Sequence, residues 1–346
     1  MAESTAAVSV VRRVASSQPE EVARNILRRF AYLFVALALL FTVIAYSAGD
    51  VFFFRLATEA LLFGGLAMGV DLLLGYAGLL SLGHALFFGL GAYVSALVLK
   101  NMAPSFWLAM LVTLVVSSAA GLVAGVIAIR ARGVYFALIT FGLAEVVAKA
   151  VFNTQDLGGS DGIMGVPILK ISLGFFSVNS NDAGAFFLLV LVLIMALYFG
   201  LEAMLRTPFG RMIVAIKANE DRVPFLGFSA QRYKLVIFIV AANVAALSGA
   251  IYPVLRGFVS PELLFFHTSG NAVITVILGG IGTLVGPLYG SVILTALKSV
   301  VGSFTEHHLI VIGVLFMISV IFFPAGLIGY LKGRIQSRRE QSRRIS

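Results

Sequence analysis

Apolar stretches close to the ~20 residues needed to cross a bilayer recur along almost the whole of this chain. That pattern leaves room for little except a polytopic membrane protein. Of the 346 residues, 60% are hydrophobic and only 12% are charged, roughly half the charged share of a soluble domain. The polar remainder is too small for a folded catalytic domain outside the membrane. A net charge of +9 would elsewhere point to nucleic acid. Here membrane topology accounts for it, and no nucleic-acid partner is expected. Cysteine is absent, which excludes a disulfide framework, a thiolate metal site and a cysteine nucleophile. The polar first 29 residues carry Arg12, Arg13, Arg24, Arg28 and Arg29. The apolar stretch after them is too long for a signal-peptide core and lacks a small-residue cleavage site, so it reads as the first membrane helix.

The spans fall at 30–48, 56–75, 79–99, 106–129, 134–151, 185–204 and 235–255, followed by a broken region at 270–302 and a final span at 308–326. The broken region contains Gly279-Gly280-Ile281-Gly282-Thr283-Leu284-Val285-Gly286-Pro287. Clustered glycines weaken a helix and Pro287 lacks a backbone donor, so the region is one interrupted helix or two short ones. Charge sets the orientation. With the N-terminus in the cytoplasm, the inward segments 1–30, 130–133, 206–234 and 326–346 hold most of the 25 Lys and Arg; the exceptions are Arg55, Lys100, Lys149, Lys170, Arg256 and Lys298. The basic tail falls inside, as the positive-inside bias requires, only if 270–302 crosses twice or re-enters. The expectation is an all-α transmembrane bundle of about ten spans with interrupted helices. Its permease domain, 30–330, is framed by a cytoplasmic N-terminal segment, 1–29, and a basic cytoplasmic tail, 331–346. Two connections are long: 152–184 faces outward and 206–234 inward. Each is either a contact surface for a partner or a linker.

The run from Gly75 to Tyr93 is apolar yet punctuated by Gly75, Gly78, Gly83, Gly89, Gly91 and His84. Irregular or tightly packed backbone survives in a membrane only where protein or a polar cavity surrounds it, so this run reads as an interior, pathway-side helix. His84, with Ser81 one turn before it, either lines that cavity or packs against a neighbouring backbone carbonyl. An ionised group near mid-bilayer costs at least ~2.5–3.5 kcal/mol and usually faces protein or water. Glu145 is the deepest carboxylate in this reading, with Lys149 one turn later. The two form a structural ion pair or a polar lining that meets a substrate ammonium. Asp71, Glu59 and Glu202 lie near span ends and read as interfacial, while Asn243 and Asn271 read as bonds across helices. The glycines, among them Gly83, Gly280 and Gly282, admit close packing. They also leave broken-helix ends whose positive dipoles can meet a carboxylate. Ser81, Gly83, His84, Glu145, Gly280 and Gly282 are therefore the candidate pathway residues.

The chain contains no G-x-x-x-x-G-K-[ST] phosphate loop, no H-E-x-x-H or G-x-S-x-G motif, and no paired Cys/His spacing. Neither a bound cofactor nor a metal is expected, and the adjacent His307 and His308 read as a solvated turn. In the inward loop, Thr207 is placed to cap a helix with Pro208 in its first turn. Met212, Ile213 and Ile216 mark one apolar face, with Arg211 and Lys217 elsewhere. The helix ends before Pro224. It is either an interfacial helix resting on anionic lipid or a docking helix for a cytoplasmic partner that supplies energy.

Five blocks, Gly75 through Tyr93, Arg132 through Thr140, Gly158 through Gly162, Thr207 through Gly227, and Gly279 through Pro287, stand in order and spacing like those of the branched-chain amino-acid ABC transporter permeases. The M-type subunits of the leucine/isoleucine/valine systems are the closer likeness, over roughly residues 50–330. The resemblance implies a multi-pass protein of the bacterial inner membrane with both termini cytoplasmic. It implies a homologous H-type permease as partner, two cytoplasmic ATP-binding subunits that hold the ATP, and a periplasmic substrate-binding protein. It also implies that the inward loop docks in a groove of the ATPase through Phe209, Gly210, Arg211, Ala218, Glu220 and Gly227. The glutamate-alanine-alanine opening usual in that loop is replaced here by Ala218-Asn219-Glu220. The expected role is a transport subunit without chemistry of its own, importing branched-chain or other hydrophobic amino acids. The alternatives are a urea or short-amide permease of the same family and an autonomous secondary transporter; against a membrane-bound enzyme, the sequence offers no clustered His/Asp/Glu constellation.

Overall fold

Leu, Val, Ala and Phe dominate each span, and in a bilayer such segments satisfy their backbone only as helices. The computed structural model describes residues 25–47, 49–172 and 177–304, with scattered positions between 310 and 334. Most of the N-terminal segment and of the basic tail, His307, His308 and most of the span at 308–326 lie outside the described residues.

Up to residue 304, and among the described residues, ten α-helices follow in order: α1 (Asn25–Ser47), α2 (Val51–Asp71), α3 (His84–Asn101), α4 (Phe106–Ala128), α5 (Val134–Asn153), α6 (Ala183–Arg206), α7 (Pro208–Ala218), α8 (Ala230–Arg256), α9 (Phe266–Gly279) and α10 (Gly286–Phe304). Among the described residues, seven helices are long and apolar enough to cross a membrane. α9 is too short at 14 residues, α3, bounded by His84 and by Lys100-Asn101, is not apolar enough, and α7 was read as lying outside the membrane. Length and composition thus establish fewer crossings than the expected ten.

α8 forms the centre, packing on α2, α3 and α4. Its contact with α3 is backbone to backbone: a side chain at Gly91 would overlap the carbonyl of Ala246, and one at Gly249 that of Phe88. Small residues allow this approach where no hydrophobic force drives helices together in lipid. Asn243 on α8 bonds Ser117 and Ser118 on α4, the cross-helix role expected of it. Outward-pointing Leu111, Val115, Val123 and Val126 on α4 present an apolar exterior.

The glycine-rich run is not one helix. Leu72–Ala77 extends α2 as a π-helical turn, the chain reverses at Gly78, and α3 starts only at His84. The broken region forms two helices, as one of its two readings held. α9 and α10 lie back to back, with Gly290 against Thr275 and Gly286 against Gly279. Tyr289 donates to the Phe30 carbonyl at the start of α1 (2.9 Å). The 152–184 connection carries unforeseen strand pairing: β1 (Ile163–Met164) with β4 (Phe258–Val259), and β2 (Lys170–Ser172) with β3 (Ser177–Asn179).

Three of the basic segments meet at one end of the bundle. Arg28 on α1 pairs with Glu202 on α6 (3.5 Å), and Arg132 before α5 pairs with Asp221 after α7 (3.0 Å). The opposite end holds the strands, where Lys100 donates to the Met164 carbonyl (3.1 Å) and the Trp107 indole to that of Ser172 (2.8 Å).

Candidate functional site

Asp71 ends α2 and is fully buried. An isolated buried carboxylate is costly unless hydrogen-bonded, and this one is bonded three times. Oδ1 accepts from the Gly282 amide (2.6 Å), and Oδ2 from those of Thr283 (3.2 Å) and Leu284 (2.9 Å). Three successive N–H groups converging on one anion form a nest, a backbone concavity suited to negative charge. The nest requires left-handed backbone: Gly282 has φ +73° and Leu284 φ +55°. Leu284 is buried, so packing holds a conformation that a branched side chain disfavours. Gly75, one turn beyond Asp71, lies against Gly282 so closely that a Cβ would fall 2.5 Å from both the Gly282 backbone and Asp71 Oδ1.

The reading of Asp71 as interfacial is therefore corrected. The chain does not leave the protein after α2; the π-helical turn continues it and the α9–α10 elbow folds over it. The signal in the sequence was the pairing of one acid with a distant run of glycines able to present consecutive amides. Of the elbow glycines, candidates to meet a carboxylate from outside, Gly282 meets Asp71 instead, while the Gly280 amide donates to the Val276 carbonyl at the end of α9 (2.8 Å).

α7 is fastened to the same place. Lys217 Nζ donates to the Gly75 carbonyl (2.5 Å), and its stem lies along Gly78. Ile213 and Ile216 are buried and Met212 half-buried, which matches the expected apolar face. Thr207 sits at the N-cap position but does not cap: its hydroxyl donates back to the Met204 carbonyl (2.6 Å). The helix ends at Ala218, where Asn219 caps the next turn through the Arg222 amide (3.2 Å).

The residues assigned to docking divide into two groups. Arg211, Ala218 and Gly227 are exposed, beside Val214 and a Phe225 that is 90% exposed. Phe209 stacks on Tyr233 (ring centroids 5.5 Å apart) and Gly210 is buried against Leu205, so these two position the helix from beneath. Glu220 is engaged within the chain, 2.5 Å from Lys234 Nζ and 3.8 Å from Arg132. Lys234 is only 3% exposed, an ion pair that no sequence pattern announced.

Among the described residues the candidate pathway residues lie in separate places, with Ser81 and Gly83 together beside Thr140 and Phe238. Ser81 Oγ and His84 Nδ1 are bonded at 2.8 Å and both are buried. The ring packs edge-on against Phe87 and Phe238. The packed reading of His84 holds in outline, with the Ser81 hydroxyl in place of a carbonyl. Gly83 abuts the backbone of Thr140. Glu145 and Lys149 form no ion pair: Glu145 accepts the Phe266 amide at the start of α9 (3.2 Å), and Lys149 lies over the rings of Phe152 and Phe265. A carboxylate at a helix N-terminus gains from the dipole, which competes with the pairing that i, i+4 spacing favours.

Residues 52–320 match the family described as the branched-chain amino acid transport system permease component. The chain is 29% identical over 333 residues to the high-affinity branched-chain amino acid transport system permease protein LivM of Salmonella typhimurium, covering 90% of this chain and 77% of that protein. It is also 29% identical over 293 residues to LivM of Escherichia coli, covering 79% and 69%. The permease protein LivH of Salmonella typhimurium is 20% identical over 286 residues, covering 76% and 90%. No solved structure matches the chain. A helical membrane bundle with an interrupted α9–α10 hairpin, matched to one family over most of its length, belongs to that family: this chain is a multi-pass permease subunit of the branched-chain amino acid transport permease component family.

Proposed function

We propose that this chain is the M-type half of an ATP-driven importer for branched-chain or other hydrophobic amino acids in a bacterial inner membrane, with both termini cytoplasmic. An H-type permease forms the other half. Two cytoplasmic ATP-binding subunits hold and hydrolyse the nucleotide, and a periplasmic binding protein delivers substrate. The names of the relatives support the substrate class and the pairing. The observation that carries the mechanism is the Lys217–Gly75 bond. It joins an exposed helix, with Arg211 and Val214 open to a partner, to the turn that seats the α9–α10 elbow. Closure of the ATPases moves α7, and the π-helical turn, Asp71 and the elbow move with it. Alternating access needs two arrangements whose balance nucleotide and loaded binding protein both shift.

The test is reconstitution in liposomes. The full set of subunits with binding protein and ATP accumulates leucine, and this chain alone accumulates none under any ion gradient. Uptake by the chain alone overturns the proposal in favour of a secondary transporter. Titration of the purified binding protein separates substrates: leucine binds, and binding of urea alone overturns the amino-acid reading.

A further inference from the structure

α2 has a second polar region about 18 Å from Asp71, at 1.5 Å of rise per residue. There a cavity of about 450 Å³ opens between α2, α8, α9 and α10. Pockets of ~300–1,000 Å³ accommodate small organic ligands. Its polar lining includes Glu59, Glu262 and Lys298, and its apolar lining Leu56, Phe63 and Leu294. Arg256 occupies Oε2 of Glu59, which leaves Oε1 available. Glu262 is exposed at the rim. Lys298 makes no hydrogen bond or contact ion pair among the described residues, and Glu59 is the charge that acts on it. A lysine left half-buried in a membrane helix without a partner marks a place where an anion is expected.

We propose that this cavity binds the substrate within the permease, as a zwitterionic α-amino acid with an aliphatic side chain. The carboxylate meets Lys298 through a charge-assisted hydrogen bond. The ammonium lies between Glu59 and Glu262, and the side chain rests on Leu56, Phe63 and Leu294. The requirement is for both charges at once: an amine or an organic acid alone leaves one group of the site unanswered. The position also fits transport, because α9 and α10 line the cavity and their elbow is the part held by Asp71. This assignment rests on the amino-acid reading above and adds the residues that recognise the ligand.

A diazirine analogue of leucine, photolysed with the full chain in lipid nanodiscs, tests the site without any partner. Peptides of α2, α9 and α10 carry the label, leucine competes, and leucinamide, which lacks the carboxylate, does not. Lys298→Gln lowers labelling by about tenfold, the scale of one charged hydrogen bond, and Lys298→Arg restores most of it. Loss of a charge from the helix eases insertion, so a folding failure does not mimic the result. Label that is absent, lies elsewhere or ignores Lys298→Gln overturns the site. The substrate class then stands or falls separately, on leucine uptake by the complete wild-type importer.

Discussion

Asp71 at the end of α2 and Glu59 near its middle solve the problem of charge in a membrane in opposite ways. At Asp71 both carboxylate oxygens are met by backbone amides, and the backbone of Gly75 and Gly282 is in close contact around them. At Glu59 a cavity opens beside the carboxylate, and Lys298 on its lining makes no hydrogen bond among the described residues. Burial alone does not mark a transport site. A fully satisfied buried charge is a fastener, because any movement of one part must carry the other with it. A half-satisfied charge beside open space is where exchange with a solute is cheap. On the two proposals above, force transmission belongs to the α7 end and recognition to the cavity beside Glu59.

Asp71→Ala breaks the contrast most severely. It leaves two buried amides and the half-buried Gly282 amide without an acceptor, at about 1–3 kcal/mol for each buried one, and removes the anion that gathers the elbow. The expected outcome is loss of nearly all protein from the membrane fraction, measured by detergent-solubilised yield and size-exclusion profile. Asp71→Asn keeps acceptor oxygen but not charge, and folds with reduced thermal stability. Equal yield of Asp71→Ala and the wild type would mean that the nest holds the elbow without help from α2.

Lys217→Met tests whether the fastened end transmits force. It deletes one charge-assisted bond, worth about 1.5–3 kcal/mol, and keeps the aliphatic stem along Gly78. Protein yield stays near wild type. Leucine uptake by the reconstituted importer falls about tenfold, a barrier change of about 1.4 kcal/mol, while ATP hydrolysis persists. Uptake and hydrolysis falling together would reduce Lys217 to a docking contact.

The membrane class, most of the apolar helices and the α7 helix were legible because each rests on local pattern: apolar length and the Thr207-Pro208 start. The convergence of Arg28, Arg132 and the α7 loop at one end of the bundle is what the charge pattern called for. The site was much less legible. Asp71 looked interfacial because its distance from the end of a span says nothing of a loop more than two hundred residues away that folds over it. Glu59 and Lys298 come from opposite ends of the sequence, and only the packing of the α9–α10 hairpin brings them to one cavity. Ser81 and His84 were legible as a polar pair one turn apart, but their bond to each other and the aromatic packing of the ring depend on α8, which no local pattern specifies.

The smallest expected effect concerns Glu145, which lies between the two regimes. Its carboxylate accepts one backbone amide at the start of α9, and Lys149, free to pair with it by spacing, lies over aromatic rings instead. Glu145→Gln preserves an acceptor oxygen for Phe266 and loses only the interaction of charge with the helix dipole, about 0.3–1 kcal/mol. Thermal unfolding in detergent should shift by no more than a few degrees, and the preference among leucine, isoleucine and valine should stay as in the wild type. Lys149→Ala should be equally mild, because no ion pair is broken. A double variant whose destabilisation is clearly less than the sum of the single ones would reveal a coupling the structure does not contain. A changed substrate preference in Glu145→Gln would extend the recognition region from the α2 cavity to the mouth of α9, and the division between fastening and exchanging ends would lose its boundary there.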